Sequence, residues 1–138
     1  MDRLFLDANV LFSAAYRPEA GVAGLWRLSP VALLTSSFAV EEVRRNLPDP
    51  EQRTRLEELL KKTEVGEAMM LPPERRGKVQ LPEKDWPILG GAMASGATHL
   101  LTGDLKHFGP YLGRRILGVL ISRPADYLRT RAPDLTPS

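Results

Sequence analysis

Four acidic positions stand out by where they fall: Asp7 in DANVLFSA, one of the pair Glu41-Glu42 in SSFAVEEVRRNL, Asp85 before Trp86-Pro87, and Asp104 closing THLLTGD. Taken singly, each has a local explanation. Asp7 and Asp85 would cap helices, Asp104 would sit in a turn after Gly103, and a helical glutamate normally faces water. Gathered in one place they mean something else, because like charges repel and raise one another's pKa. A divalent cation that prefers hard oxygen donors removes that penalty, so Mg²⁺ or Mn²⁺ is the expected companion of such a set. An ion held this way acts as a Lewis acid and activates water.

Whether the acids meet depends on the elements that carry them. The apolar run before Asp7 predicts a buried strand over 3–7, and a weak helix over 8–16 follows it. A second short helix is expected over 20–28. VALLTS (31–36) reads as a strand, with Ser36 or Ser37 capping a helix through Leu47 in which Phe38, Val43 and Leu47 face the core. Pro48-Asp49-Pro50 ends that helix, and residues 51–63 form the clearest helix, with an apolar stripe at Leu56, Leu59 and Leu60. A strand is expected over 67–71, then a Pro-rich basic loop over 72–84. Asp85 opens a helix with Pro87 in its first turn, and Gly96 closes it in the left-handed conformation. THLLT (98–102) and ILGVLI (116–121) read as two more strands, and PADYLR (124–129) as a short last helix.

Strands alternating with helices predict an α/β fold with a central parallel sheet covered on both faces. Sites in such sheets lie beyond the carboxyl ends of the strands, and all four acids can reach that edge. Helical phase does not separate Glu41 from Glu42.

The chain has 138 residues, 43% of them hydrophobic, which suits one domain over 1–131 with a flexible tail at 132–138. It has no cysteine, so disulfides and thiolate metal sites are excluded and a reducing cytoplasm fits. No stretch approaches the ~20 apolar residues of a membrane span, and acidic Asp2 stands where a signal peptide would be basic. The balance of 19 basic and 17 acidic side chains neither demands nor excludes nucleic acid, although 14 of the bases are Arg, which suits bidentate phosphate contacts.

Three blocks, DANVLFSA, SSFAVEEVRRNL and DWPILGGAMASGATHLLTGDLKHF, followed by SRPADYL, occur in the order in which the PIN-domain nucleases carry them. The chain resembles that family over nearly its whole length, in particular the VapC-like toxin components of bacterial and archaeal toxin–antitoxin pairs. The resemblance implies a three-layer α/β/α sandwich and a metal-dependent ribonuclease. By position it implies Asp7, Glu42, Asp85 and Asp104 as the acidic residues, with Glu42 chosen because Val43-Arg44 follows it as in the family. Asp7, Asp85 and Asp104 would hold Mg²⁺ or Mn²⁺, Glu42 would orient the attacking water, and Asn9 and Thr102 would support the carboxylates. Trp86 and Pro87 are bulkier and stiffer than the family's usual helix start. A small antitoxin protein and a homodimer are the partners it implies besides RNA.

Basic residues near the acids are candidates for the RNA backbone: Arg44, Arg45, Arg75, Arg76, Lys106 and His107. Trp86 beside Asp85 would pack, or stack on a base. Leu25, Trp26, Leu56 and Leu60 would line an antitoxin or dimer groove, or simply pack. Two other readings compete with the nuclease. One is a PIN-fold interaction module without catalysis. The other is a phosphatase with Asp7 as nucleophile in D-x-[DN], which also needs a lysine and an acidic pair that are not evident.

Overall fold

A computed structural model describes residues 1–131, so the tail expected at 132–138 lies outside the described residues. Strand β1 (Asp2–Leu6) lies between β2 (Val31–Ser36) and β4 (His99–Leu101), all parallel, in a sheet of order β3-β2-β1-β4-β6-β5. β3 is Glu64–Gly66, β5 is Arg115–Ile116 and β6 is Val119–Ser122. Every pairing is parallel except β5 with β6. Leu4, Phe5 and Leu6 are fully buried, as expected of a central strand covered on both faces.

Helices complete an α/β/α arrangement. α1 (Ala8–Tyr16) packs against α2 (Ser37–Asn46) and α3 (Pro50–Leu60), while α4 (Trp86–Ala94) packs against β2 and β4. Each start follows local chemistry. Ser36 accepts from the Ala39 N–H at the head of α2, and Pro50 occupies the first turn of α3, where its missing N–H is not needed. Gly96, at φ +70°, ends α4 in the left-handed conformation expected of it. α6 (Pro124–Thr130) docks through Tyr127, whose hydroxyl donates to Asp2 Oδ2 at 2.5 Å and whose ring meets His99 edge-on. His99 is thereby structural.

Several expected elements are different. The run 116–121 is not one strand but the end of a hairpin: Leu117 and Gly118 have φ of +50° and +87°, the two positive values that a two-residue turn requires. Its Leu-Gly pair lacks the usual Asn-Gly signature, and the apolar run concealed the turn. The strand expected over 67–71 is instead β3 at 64–66, a short exposed edge. Residues beyond it cross over α4, where Leu71 is buried and a Cβ on Gly90 would stand 1.8 Å from the Met69 carbonyl oxygen. Packing on the helix, not ladder pairing, claims that segment. The helix over 20–28 is a 3₁₀ helix, Gly21–Arg27, and a one-turn helix α5 (Leu105–Phe108) follows Asp104.

Phe38 is also not in the core. It is 39% exposed, while Ala39, Val40 and Val43 are buried. Phe38 and Glu42 are one turn apart and share a face, so a helix that shows Glu42 to a cleft must show Phe38 as well. Leu25 and Leu56 are fully buried, and the Trp26 indole donates to the Leu59 carbonyl and Thr63 hydroxyl. The groove considered for a partner at these residues is core packing.

Candidate metal centre

The strand order turns back at β1 and β4, since the chain builds β2 and β3 on one side of β1 and β4 onward on the other. Carboxyl ends diverge at such a point and leave a crevice. Asp7 and Thr102 are the first residues beyond β1 and β4, whose register pairs Leu6 with Leu101, so the two emerge side by side.

Asp7 fills the capping role considered for it and stands in the cleft with the other acids. Its Oδ1 accepts the Ala8 N–H at 2.7 Å, capping α1, and its Oδ2 accepts the Thr102 hydroxyl at 2.8 Å and the Asn9 amide at 3.2 Å. Thr102 Oγ1 also accepts the Asp104 N–H at 3.0 Å, and Asn9 Oδ1 accepts the Gly103 N–H at 2.8 Å. Asn9 and Thr102 thus tie the Asp7 carboxylate to the loop that carries Asp104.

Asp104 caps α5 by accepting the His107 N–H on Oδ1 at 3.1 Å, and its Oδ2 lies 2.8 Å from His107 Nδ1. The same ring nitrogen lies 3.0 Å from Asp85 Oδ2. Asp85 stands at the head of α4 but makes no capping bond, and its buried Oδ2 has no hydrogen-bond partner. Asp85, Asp104 and His107 each offer a ligand atom within 4.8 Å of the others. The metal set read from the sequence was Asp7, Asp85 and Asp104. The structure groups the last two with His107 and puts Asp7 on the wall of the same cleft, its oxygens already engaged by protein donors.

That cleft has a volume of about 600 Å³ and holds Asp7, Glu42, Asp85 and Asp104. Glu42, not Glu41, lines it; Glu41 lies 3.7 Å from Arg44 in an ion pair. Burial pushes the Asp7 carboxyl up to about 6, with Asp85 and Asp104 adding to the rise against the hydrogen bonds from Thr102 and Ala8. Asp85 is raised as well, chiefly by burial, with Asp104 and Glu42 adding and His107 and Lys84 opposing. A cluster of hard oxygen donors, two of its acids held above their ordinary range and one oxygen without a hydrogen bond, fits a divalent cation.

The predicted basic contacts divide. Arg76 lies 4.4 Å over the Trp86 ring, donates to the Leu71 carbonyl at 2.8 Å and pairs with Glu83 at 2.7 Å. It clamps the loop before Asp85 and is not available to RNA. Trp86 is buried beneath it with its indole N–H on the Leu81 carbonyl, so it packs and does not stack on a base. Arg44 is held by Glu57 at 2.7 Å. Arg45, Arg75 and Lys106 are exposed but do not line the cleft. Lys84 does, together with Phe12, Phe38 and Asn46; none of these four was read from the sequence as part of the site, and Phe38 was expected in the core. Phe38 and Asn46 were findable once Glu42 was chosen, because they lie one turn on either side of it.

No protein-family model and no curated protein matches the chain. Among solved structures it is similar to a chain of VapBC2 from Rickettsia felis, solved bound to a DNA fragment from its promoter. The TM-score is 0.63 at 17% identity, covering 88% of this chain and 98% of that one. Strand order, flanking helices and this likeness agree: the chain has a VapC-like PIN-domain fold.

Proposed function

We propose that the chain is a divalent-metal-dependent endoribonuclease and the toxin of a toxin–antitoxin pair, acting in the cytoplasm. The observation that carries the enzymatic reading is the buried Asp85 Oδ2, which receives no hydrogen bond and stands 3.0 Å from His107 Nδ1, in a cleft that also holds Asp7, Glu42 and Asp104. Buried carboxylate oxygens without a hydrogen bond are uncommon, and a cation bound among these acids would satisfy this one.

Asp85 and Asp104, with Asp7 beside them, would hold Mg²⁺ or Mn²⁺, which when bound supplies charge neutralisation, polarisation of a phosphodiester and activation of water. The protein's own groups do the rest. Thr102 and Asn9 fix the Asp7 carboxylate in one orientation through four hydrogen bonds, two to it and two from the 103–104 backbone. Glu42, on α2, orients the attacking water and takes its proton. Lys84 places a positive charge where phosphate enters. An Asp7-nucleophile phosphatase is disfavoured, because both Asp7 oxygens accept hydrogen bonds and the side chain is buried.

The toxin role rests on likeness to the VapBC2 chain, and an antitoxin and a second copy are the partners it brings. Among the described residues no helix is long and apolar enough to cross a membrane. The test is cleavage of RNA by the purified chain in Mn²⁺, in Mg²⁺ and in EDTA, with Asp85→Asn as control. Metal-dependent cleavage lost in the variant is expected. Equal cleavage in EDTA, or by the variant, refutes the enzymatic reading. Growth arrest on expression, relieved by Asp85→Asn, checks the toxin role.

A further inference from the structure

We infer that His107 is a direct metal ligand, and that its nitrogen makes this centre select Mn²⁺ and its transition-metal neighbours over Mg²⁺. The inference deepens the metal-dependent reading above and rests on it. It also reassigns His107, whose expected partner was an RNA phosphate.

The geometry starts from α5. A single turn from the Asp104 cap brings His107 back over Asp104, three residues on, with its backbone N–H on Asp104 Oδ1. Nδ1 then stands 2.8 Å from Asp104 Oδ2 and 3.0 Å from Asp85 Oδ2. Two adjacent donors on one octahedral ion, with bonds of about 2.1–2.2 Å, stand about 3 Å apart. The imidazole nitrogen therefore already has the spacing of a shared ligand with each carboxylate. Asp85 is nine-tenths buried, and its Oδ2 faces Nδ1 without a hydrogen bond from it or from anything else. As a ligand the neutral ring would carry its one proton on Nε2 and present the Nδ1 lone pair to the ion.

Two carboxylates alone would suit Mg²⁺, which binds oxygen and holds its waters. An imidazole nitrogen favours softer first-row ions and gains Mg²⁺ little. The competing account makes His107 a protonated bridge that neutralises two acids. A cation in that place opposes a metal, so its removal would strengthen metal binding.

The experiment measures Mn²⁺ and Mg²⁺ binding to the full chain by calorimetry, for the wild type, His107→Asn, His107→Asp and Asp85→Asn. Unfolding in EDTA confirms that each variant is folded. Pulsed EPR of the Mn²⁺ complex reads directly bonded ¹⁴N. Expected are ¹⁴N coupling in the wild type only, and a fall in Mn²⁺ affinity of at least about tenfold in His107→Asn, the scale on which even a supporting partner affects metal sites. Mg²⁺ affinity should change less, and His107→Asp should shift the preference toward Mg²⁺. Mn²⁺ binding that needs Asp85 but shows no nitrogen coupling, or that is unchanged or stronger in His107→Asn, overturns the inference and leaves the metal-dependent reading standing. Absence of saturable Mn²⁺ binding to the wild type overturns both.

Discussion

In Asp7→Asn the side chain keeps its shape and loses its charge, at a position where burial has lifted the carboxyl to about 6 from an ordinary 3.8. A raised carboxyl takes up its proton in the folded state before the unfolded chain does. Its stabilising contribution is therefore complete below about pH 3.8 and is lost as pH rises through about 6. At pH 7.5 the metal-free protein carries the whole difference, about 2 pKa units or roughly 3 kcal/mol of destabilisation. Asparagine removes that penalty but changes the hydrogen bonds. Its Oδ1 can still accept the Ala8 N–H, while an amide in place of Oδ2 faces the Thr102 hydroxyl and the Asn9 amide. The hydroxyl can turn to accept; the Asn9 amide cannot, and that lost bond costs about 1 kcal/mol. The net expectation at pH 7.5 in EDTA is a variant about 1–2 kcal/mol more stable than the wild type, or about 3–8 °C in Tm. Near pH 4 the advantage should vanish or reverse. Urea unfolding of both proteins across pH 4–8 in EDTA is the assay. Mn²⁺ should raise the wild type's midpoint by mass action and the variant's far less. A variant less stable than the wild type by the same margin at both ends of the pH range would refute the reasoning, because it would show that no buried charge is being relieved.

Other outcomes follow from the same geometry. Tyr127→Phe should cost about 1–2 kcal/mol at pH 7 by removing the hydrogen bond that chiefly holds the Asp2 carboxyl below its ordinary value. A depressed carboxyl stabilises above its unfolded pKa, so that cost should shrink as pH falls below about 3.8, read by urea unfolding at pH 7 and pH 3. Gly90→Ala should destabilise by about 2–4 kcal/mol in thermal unfolding, since its Cβ would overlap the Met69 carbonyl, backbone against backbone. Lys84→Ala should weaken RNA binding and flatten its salt dependence without loss of stability, whereas Arg76→Ala should lower Tm by freeing the loop over Trp86. Salt titrations of binding together with melting curves separate the two.

Much of the frame was readable from local signals. The strand before Asp7, the Ser36 cap, the Pro87 helix start and the Gly96 stop all rest on chemistry within a few residues, and each stands where expected. The positions of Asp7 and Asp104 at neighbouring strand ends followed from a parallel sheet. What escaped were facts decided by contacts far along the chain. Nothing near Arg76 announces that Trp86 and Glu83 will hold it, and nothing near Met69 announces that it will lie on Gly90. His107 was visible as a base beside an acid. That it also meets Asp85, 22 positions earlier, is set by how α4 docks. The hairpin at 117–118 was missed because a leucine in a left-handed turn looks like one more strand residue.

The Thr102 hydroxyl spans 95 residues of sequence to reach Asp7, so the two halves of the cleft come from opposite ends of synthesis. A nascent chain ending at β3 carries Asp7 and Glu42 but neither Asp85 nor Asp104. Loop closure between β1 and β4 must also be achieved before the first and last acids share a wall, a long-range step of the kind that slows folding. The acidic cluster is therefore incomplete while the chain is being made. A chain truncated after β3 carries two of the four acids, and the cleft closes only once the second half has emerged and docked.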